Sequence, residues 1–124
     1  MERRRQLGSA AEEMAARHLE RQGYRVVARN QRVGRGELDI IVRRGPVLAF
    51  VEVKARRTRG CGVPEEAVTV RKQRQVVRLA ELWLAARPEA LEGVDEVRLD
   101  VVAVDLAATP AAVRHLPAAF VQAC

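Results

Sequence analysis

The chain has 124 residues, 48% hydrophobic and 31% charged, with a net charge of +6 and only four aromatic residues, Tyr24, Phe50, Trp83 and Phe120. That length makes one domain able to bury roughly two-thirds of its unfolded surface. No apolar run approaches the roughly 18 residues of a membrane span, and no hydrophobic segment follows the basic residues 1–5, so membrane and secretory readings drop out and a cytoplasmic protein is expected.

From the N-terminus, residues 7–22 carry Leu7, Ala10, Ala11, Met14, Ala15 and Leu19 at helical spacing, with Gly23 as the stop. At about 100° per residue, Glu12 lies on the edge of that apolar face and Glu13 on the solvent side. A carboxylate aimed at the body of a protein needs a partner, so Glu12 is either functional or ion-paired at the core edge. Residues 24–28 read as a first strand and residues 29–35 as a basic turn.

Residues 36–57, GELDIIVRRGPVLAFVEVKARR, contain two β-type runs, 38–43 and 47–55, joined by Arg44, Gly45 and Pro46. This predicts an antiparallel hairpin. With Arg43 opposite Leu48, Ile41 faces Phe50, Asp39 faces Glu52 and Glu37 faces Lys54. Side chains alternate with a period of two, so this register gathers Glu37, Asp39, Glu52 and Lys54 on one face. Opposed carboxylates destabilise a sheet unless something positive lies between them, and a divalent cation is the simplest candidate.

Between Lys54 and Arg78 stand eight basic residues, Lys54, Arg56, Arg57, Arg59, Arg71, Lys72, Arg74 and Arg78, against Glu65 and Glu66, so this segment holds the entire net charge. A basic cluster beginning at an acidic patch is the footprint expected for a polyanion such as nucleic acid; a solvated, arginine-rich surface is the plainer alternative. All 22 basic residues but Lys54 and Lys72 are arginine. Lys54 therefore stands where chemistry beside a carboxylate would need a compact ammonium.

Residues 56–68 read as a loop with Gly60, Gly62 and Pro64, whose arginines either hold a phosphate backbone or are merely solvated. Thr69 can cap a helix running to about Ala86, with Val70, Val77, Ala80, Trp83 and Leu84 as its buried stripe and Arg71, Arg74 and Arg78 on its polar face. Lys72 and Gln73, near its start, either reach back to a site at the strand ends or serve in capping and solvation. Residues 87–96 form an acidic connector. Residues 97–104 form a β-branched strand whose Asp100 serves a neighbouring arginine or a metal. A short final strand or packed tail falls at residues 113–116. Cys61 and Cys124 have no metal-ligand spacing and suggest no disulfide framework.

The order helix, strand, hairpin, helix, strand, with Asp39 followed by Glu52 and Lys54 in an E-x-K pair, resembles the PD-(D/E)XK nuclease superfamily. The fit is closer to the bacterial YraN family, a branch of small proteins expected to be endonucleases. It rests on Gly8 with Glu12, Gly23-Tyr24, Arg29-Asn30, Gly36-Glu37-Leu38-Asp39, Phe50-Val51-Glu52-Val53-Lys54, Gly62 with Pro64, Glu66-Ala67-Val68, Lys72, and Asp100-Val101-Val102. Leu38 replaces the proline that names the superfamily, and Ala11 precedes Glu12 where the family usually has Gly. The resemblance implies a single α/β domain with a restriction-endonuclease-like α-β-β-β-α-β core and a mixed sheet flanked by helices.

It also implies that Asp39, Glu52, the Val53 carbonyl and Glu12 bind Mg²⁺ or Mn²⁺, that Lys54 orients or deprotonates the attacking water, and that DNA is cut. Mg²⁺ favours such a set of a few carboxylates plus waters and phosphate oxygens. Glu37, opposite Lys54, would hold its amine or join the metal shell, with Lys72 and Gln73 in support. Arg56, Arg57, Arg59, Arg71, Arg74 and Arg78 would contact the nucleic acid. With so few aromatics, contacts should fall on phosphates and give little sequence specificity. Branched or damaged DNA follows by analogy with Holliday junction resolvases. The alternative is a nuclease-fold nucleic-acid-binding module without turnover of its own; a homodimer or membership of a larger DNA-processing assembly stays open.

Overall fold

The computed structural model describes the backbone of residues 2–56 and 69–119, and side chains within those segments from residue 9 onward. A helix, α1 (Glu2–Arg21), is followed by strands β1 (Arg25–Val33), β2 (Gly36–Arg44) and β3 (Val47–Arg56). A second helix, α2 (Val70–Ala86), and a 3₁₀ turn (Pro88–Leu91) lead to β4 (Glu96–Asp105) and β5 (Ala112–Leu116). The strands lie in the order β1-β2-β3-β4-β5, antiparallel except for the parallel pair β3 and β4. That parallel pair needs a crossover, which α2 supplies. This is the α-β-β-β-α-β core expected, extended by one edge strand. Among the described residues no helix is long and apolar enough to cross a membrane.

Local chemistry explains the boundaries. Gly23, at φ +92°, ends α1 in a Schellman motif: its N–H donates to Glu20 and the Tyr24 N–H to Leu19, while Tyr24 and Leu19 pack in one cluster. Two-residue loops join β1 to β2 and β2 to β3, each with glycine first at positive φ, Gly34 at +57° and Gly45 at +56°. The Thr69 hydroxyl accepts from the Lys72 N–H and caps α2.

The helices cover opposite faces of the sheet. Ala11, Ala15 and Leu19 of α1 pack on Ile40, Val42, Ala49, Val51, Val102 and Val104. Val76, Leu79, Ala80 and Trp83 of α2 pack on Ile41, Leu48, Phe50 and Val101. Trp83 meets Phe50 edge-to-face, with centroids 5.8 Å apart.

Two expectations need correcting. The buried stripe of α2 runs through Val76 and Leu79, whereas Val70 and Val77 are 55% and 39% exposed. Both stripes satisfy helical spacing; the fit of Ala80 and Trp83 against the sheet chose between them. Residues 29–33 continue β1 instead of turning. Residues 29–33 alternate half-buried and exposed, but the side chains of Arg29, Asn30 and Gln31 are polar and find partners in the two helices, so the sequence lacks the apolar alternation that marks a strand.

Candidate metal and phosphate site

Pairing between β2 and β3 follows the expected register from Arg44 opposite Val47 to Ile40 opposite Val51. There it stops. The pairs that would set Asp39 against Glu52 and Glu37 against Lys54 are not part of the ladder. Asp39 instead sends its carboxylate to the β3 backbone, where Oδ2 accepts the Val53 N–H at 2.9 Å. The carbonyl of a strand residue points to the same edge as its N–H, so the Val53 carbonyl faces this opening too.

The facing of β1 and β2 also changes here. Arg29, paired with Ile40, reaches Glu13 of α1, and Ile40 packs on α1. One step on, Gln31 is paired with Leu38; Gln31 accepts from the Trp83 indole of α2, and Leu38 packs on α2. Strict alternation would keep both pairs on one face. Between them lies Asn30, at φ +52°. The turnover frees Glu37 and Asp39 to meet α1, so the single face predicted from alternation becomes two half-sites.

In the first half-site Glu12, Glu37 and Asp39 each bring a carboxylate oxygen within 4.8 Å of the others. Asn30 Nδ2 donates to Glu12 Oε1 at 2.8 Å and to Glu37 Oε1 at 3.4 Å. Burial pushes the Asp39 carboxyl up to about 7; Glu52 and Glu12 add to the rise, while the Val53 N–H and Lys72 oppose it. Glu13, expected to be a plain solvent charge, accepts from Arg17 and Arg29 at 2.9 Å each and ties α1 to β1.

In the second half-site Glu52, only 6% exposed, holds both lysines of the chain. Lys54 Nζ lies 3.5 Å and Lys72 Nζ 3.4 Å from Glu52 Oε1. Lys72 therefore does reach back from the first turn of α2. Glu37 takes Asn30 as its partner, and Lys54 takes Glu52, so the expected pairing of Glu37 with Lys54 is replaced.

These residues fit a hard divalent cation. Oxygens sharing one such ion, at about 2.0–2.6 Å each, stand at most about 5 Å apart, which the three carboxylates satisfy. Once Asp39 is ionised, as a bound cation would make it, the four carboxylates Glu12, Glu37, Asp39 and Glu52 outnumber the two ammonium groups by two. Glu12, Glu37 and Asp39 are the carboxylates within reach of one ion, with the Val53 carbonyl on the same edge, and Glu52, the neighbouring charge that raises the Asp39 carboxyl most, stands beside them holding the lysines.

Of the remaining candidates, Gln73 is half-buried at the start of α2, and Arg71, Arg74 and Arg78 are exposed along it. Arg56 is half-buried and lies 3.4 Å from Asp105 of the neighbouring strand. Arg57 and Arg59 lie outside the described residues. Asp100 is fully buried on the α1 face, where it receives Arg98 at both oxygens, His115 Nε2 at 2.8 Å and the Ala118 N–H. Burial alone would push its carboxyl up, but the bonds from His115, Arg98 and Ala118 outweigh it and hold it below the ordinary range. Asp100 is thus an arginine's partner and a clasp for β5. Asn30, which the sequence offers only as half of the Arg29-Asn30 pair in an expected basic turn, joins the site as a residue to which no role was assigned.

The profile of the Uncharacterised protein family UPF0102 matches residues 11–104. This chain belongs to the UPF0102 family. The matched span contains every residue of both half-sites. A UPF0102 protein of Symbiobacterium thermophilum is 54% identical over 81 residues, covering 65% of this chain and 69% of that one. UPF0102 proteins of Geobacter sulfurreducens and Nocardia farcinica are 44% and 46% identical over 117 residues, each covering 92% of this chain and 88% of its own. Among solved structures, Pyrococcus furiosus SfsA in complex with Ca²⁺ matches with a TM-score of 0.39 and 19% identity, over 91% of this chain and 63% of that one.

Proposed function

We propose that this UPF0102 protein is a divalent-cation-dependent endonuclease that hydrolyses phosphodiester bonds of DNA, with branched or damaged DNA as its substrate class. The observation that carries the reading is the cluster of Glu12, Glu37 and Asp39 beside Glu52 and both lysines of the chain, at the point where β2 and β3 part. Glu12, Glu37 and Asp39, with the Val53 carbonyl, would hold Mg²⁺ or Mn²⁺. Bound there, the cation would supply a more acidic water and charge stabilisation at the phosphoryl oxygens.

The chain's own groups do the rest. Glu52 fixes the two ammonium groups side by side, and their charge offsets what develops on the phosphate as the attacking oxygen adds. Lys54, on the strand, orients the attacking water. Lys72 approaches from α2, so the same helix that presents Arg71, Arg74 and Arg78 to a phosphate backbone delivers a charge to the reacting centre.

Incubating branched, flapped and single-stranded DNA with Mg²⁺ or Mn²⁺ tests this. Cleavage is expected to vanish with EDTA and in Glu52→Gln; cleavage indifferent to both sinks the reading. One observation favours a second reading, a binding module without turnover: Glu52 Oε1 is already shared by two lysines. That reading predicts salt-sensitive DNA binding that survives Asp39→Ala and no cleavage by the unaltered protein.

A further inference from the structure

Asn30 has a backbone and a side chain that both need explaining. Among the described residues it is one of two non-glycine positions at positive φ, and the other, Ala118, lies in a turn outside any strand. Left-handed backbone is uncommon for any side chain and least so for asparagine, aspartate and histidine. Its effect is directional. Arg29 reaches Glu13 and Asn30 reaches Glu12, so successive side chains of one strand meet successive residues of α1. A regular strand would send Asn30 to the α2 face, away from Glu12.

The side chain completes the argument. Among the described residues Asn30 is the hydrogen-bond partner of both Glu12 and Glu37, which have no other. Two carboxylates this close repel, and a lysine between them would end the repulsion by occupying the place of a cation. A neutral amide has two N–H groups, one for each carboxylate, and leaves their charge uncancelled.

We propose that Asn30 is a positioning residue, holding Glu12 and Glu37 at the separation a shared divalent cation requires. This rests on the metal reading given under Proposed function. Outer hydrogen bonds of this kind orient metal ligands, and their loss weakens metal binding by roughly 10- to 100-fold.

Calorimetric titration with Mn²⁺ tests it on the full chain, comparing the unaltered protein with Asn30→Gly, Glu12→Gln and the double variant. Glycine accepts the left-handed backbone and removes only the amide. Asn30→Gly should lose roughly 10-fold or more in Mn²⁺ affinity, with thermal unfolding in EDTA close to that of the unaltered protein. On the Glu12→Gln background the same change should shift affinity by no more than about twofold, because the carboxylate it holds at 2.8 Å is gone and only the longer 3.4 Å bond to Glu37 is left to lose.

Unchanged affinity in Asn30→Gly, or an equal loss on both backgrounds, overturns the role of Asn30 while leaving the metal reading intact. Absence of Mn²⁺ binding by the unaltered protein overturns both. Should Asn30→Gly not fold, Asn30→Asp keeps the backbone preference and replaces the donor by a carboxylate. Millimolar Mn²⁺ should then raise its melting temperature more than that of the unaltered protein, and an equal rise refutes the proposal.

Discussion

Removing the charge of Asp39 should stabilise the metal-free protein, and increasingly so as pH rises. The folded carboxyl titrates near 7 against an ordinary value of 3.8, because it is buried and stands beside Glu52. Between those values the unfolded chain carries an ionised Asp39 and the folded chain a protonated one, so folding takes up a proton and stability falls as pH rises through this window. Above the window the full penalty is reached, about 4 kcal/mol at roughly 1.4 kcal/mol per pH unit, of which more than half accrues above about pH 5.

Asp39→Asn abolishes that titration while keeping an oxygen to accept the Val53 N–H. The difference between the amide and the protonated carboxyl as acceptors is the same at every pH, so it cancels when two pH values are compared. Thermal unfolding in EDTA, followed by circular dichroism, reads the effect. The melting temperature of Asp39→Asn relative to the unaltered protein should gain roughly 10 °C between about pH 5 and pH 8.5, taking about 4 °C per kcal/mol for a domain of this size. A difference that stays constant, or shrinks with pH, refutes the account of Asp39 as a buried carboxylate crowded by its neighbours.

Other outcomes follow from particular contacts. Asp100→Ala leaves Arg98 without its buried partner and should cost about 3–5 kcal/mol in urea unfolding. Gly36→Ala would put a Cβ 2.6 Å from Leu79 Cδ1; a shifted leucine side chain relieves this only in part, and a loss of about 1–2 kcal/mol is expected by the same measurement. Ala118→Gly relieves the left-handed backbone at φ +52° and should leave stability equal or higher by up to about 1 kcal/mol. Replacing Arg71, Arg74 and Arg78 together by alanine should flatten the salt dependence of DNA binding by about 2–3 in log–log slope, uniformly across sequences.

The sequence by itself determined the elements and their punctuation. Gly23 stopped α1, Thr69 capped α2, and the Gly45-Pro46 loop set a register that holds from Arg44 to Ile40. These are local effects of backbone freedom and hydrogen-bond supply, acting within a few residues, so composition and spacing disclose them. Glu37, Asp39, Glu52 and Lys54 were legible too, because charge in a β-type run is conspicuous, and Lys72 because it is one of only two lysines among 22 basic residues.

Tertiary structure decided how those charges are shared. Periodicity placed Glu37, Asp39, Glu52 and Lys54 on one face, but the turnover at Asn30 sends Glu37 and Asp39 to Glu12 and leaves Glu52 to Lys54 and Lys72. It likewise chose Val76 and Leu79 over Val70 and Val77, and extended β1 through polar residues satisfied by Glu12, Glu13 and Trp83. Each of these depends on partners distant in the chain, and a periodicity fixes only which residues share a face, not what that face will meet.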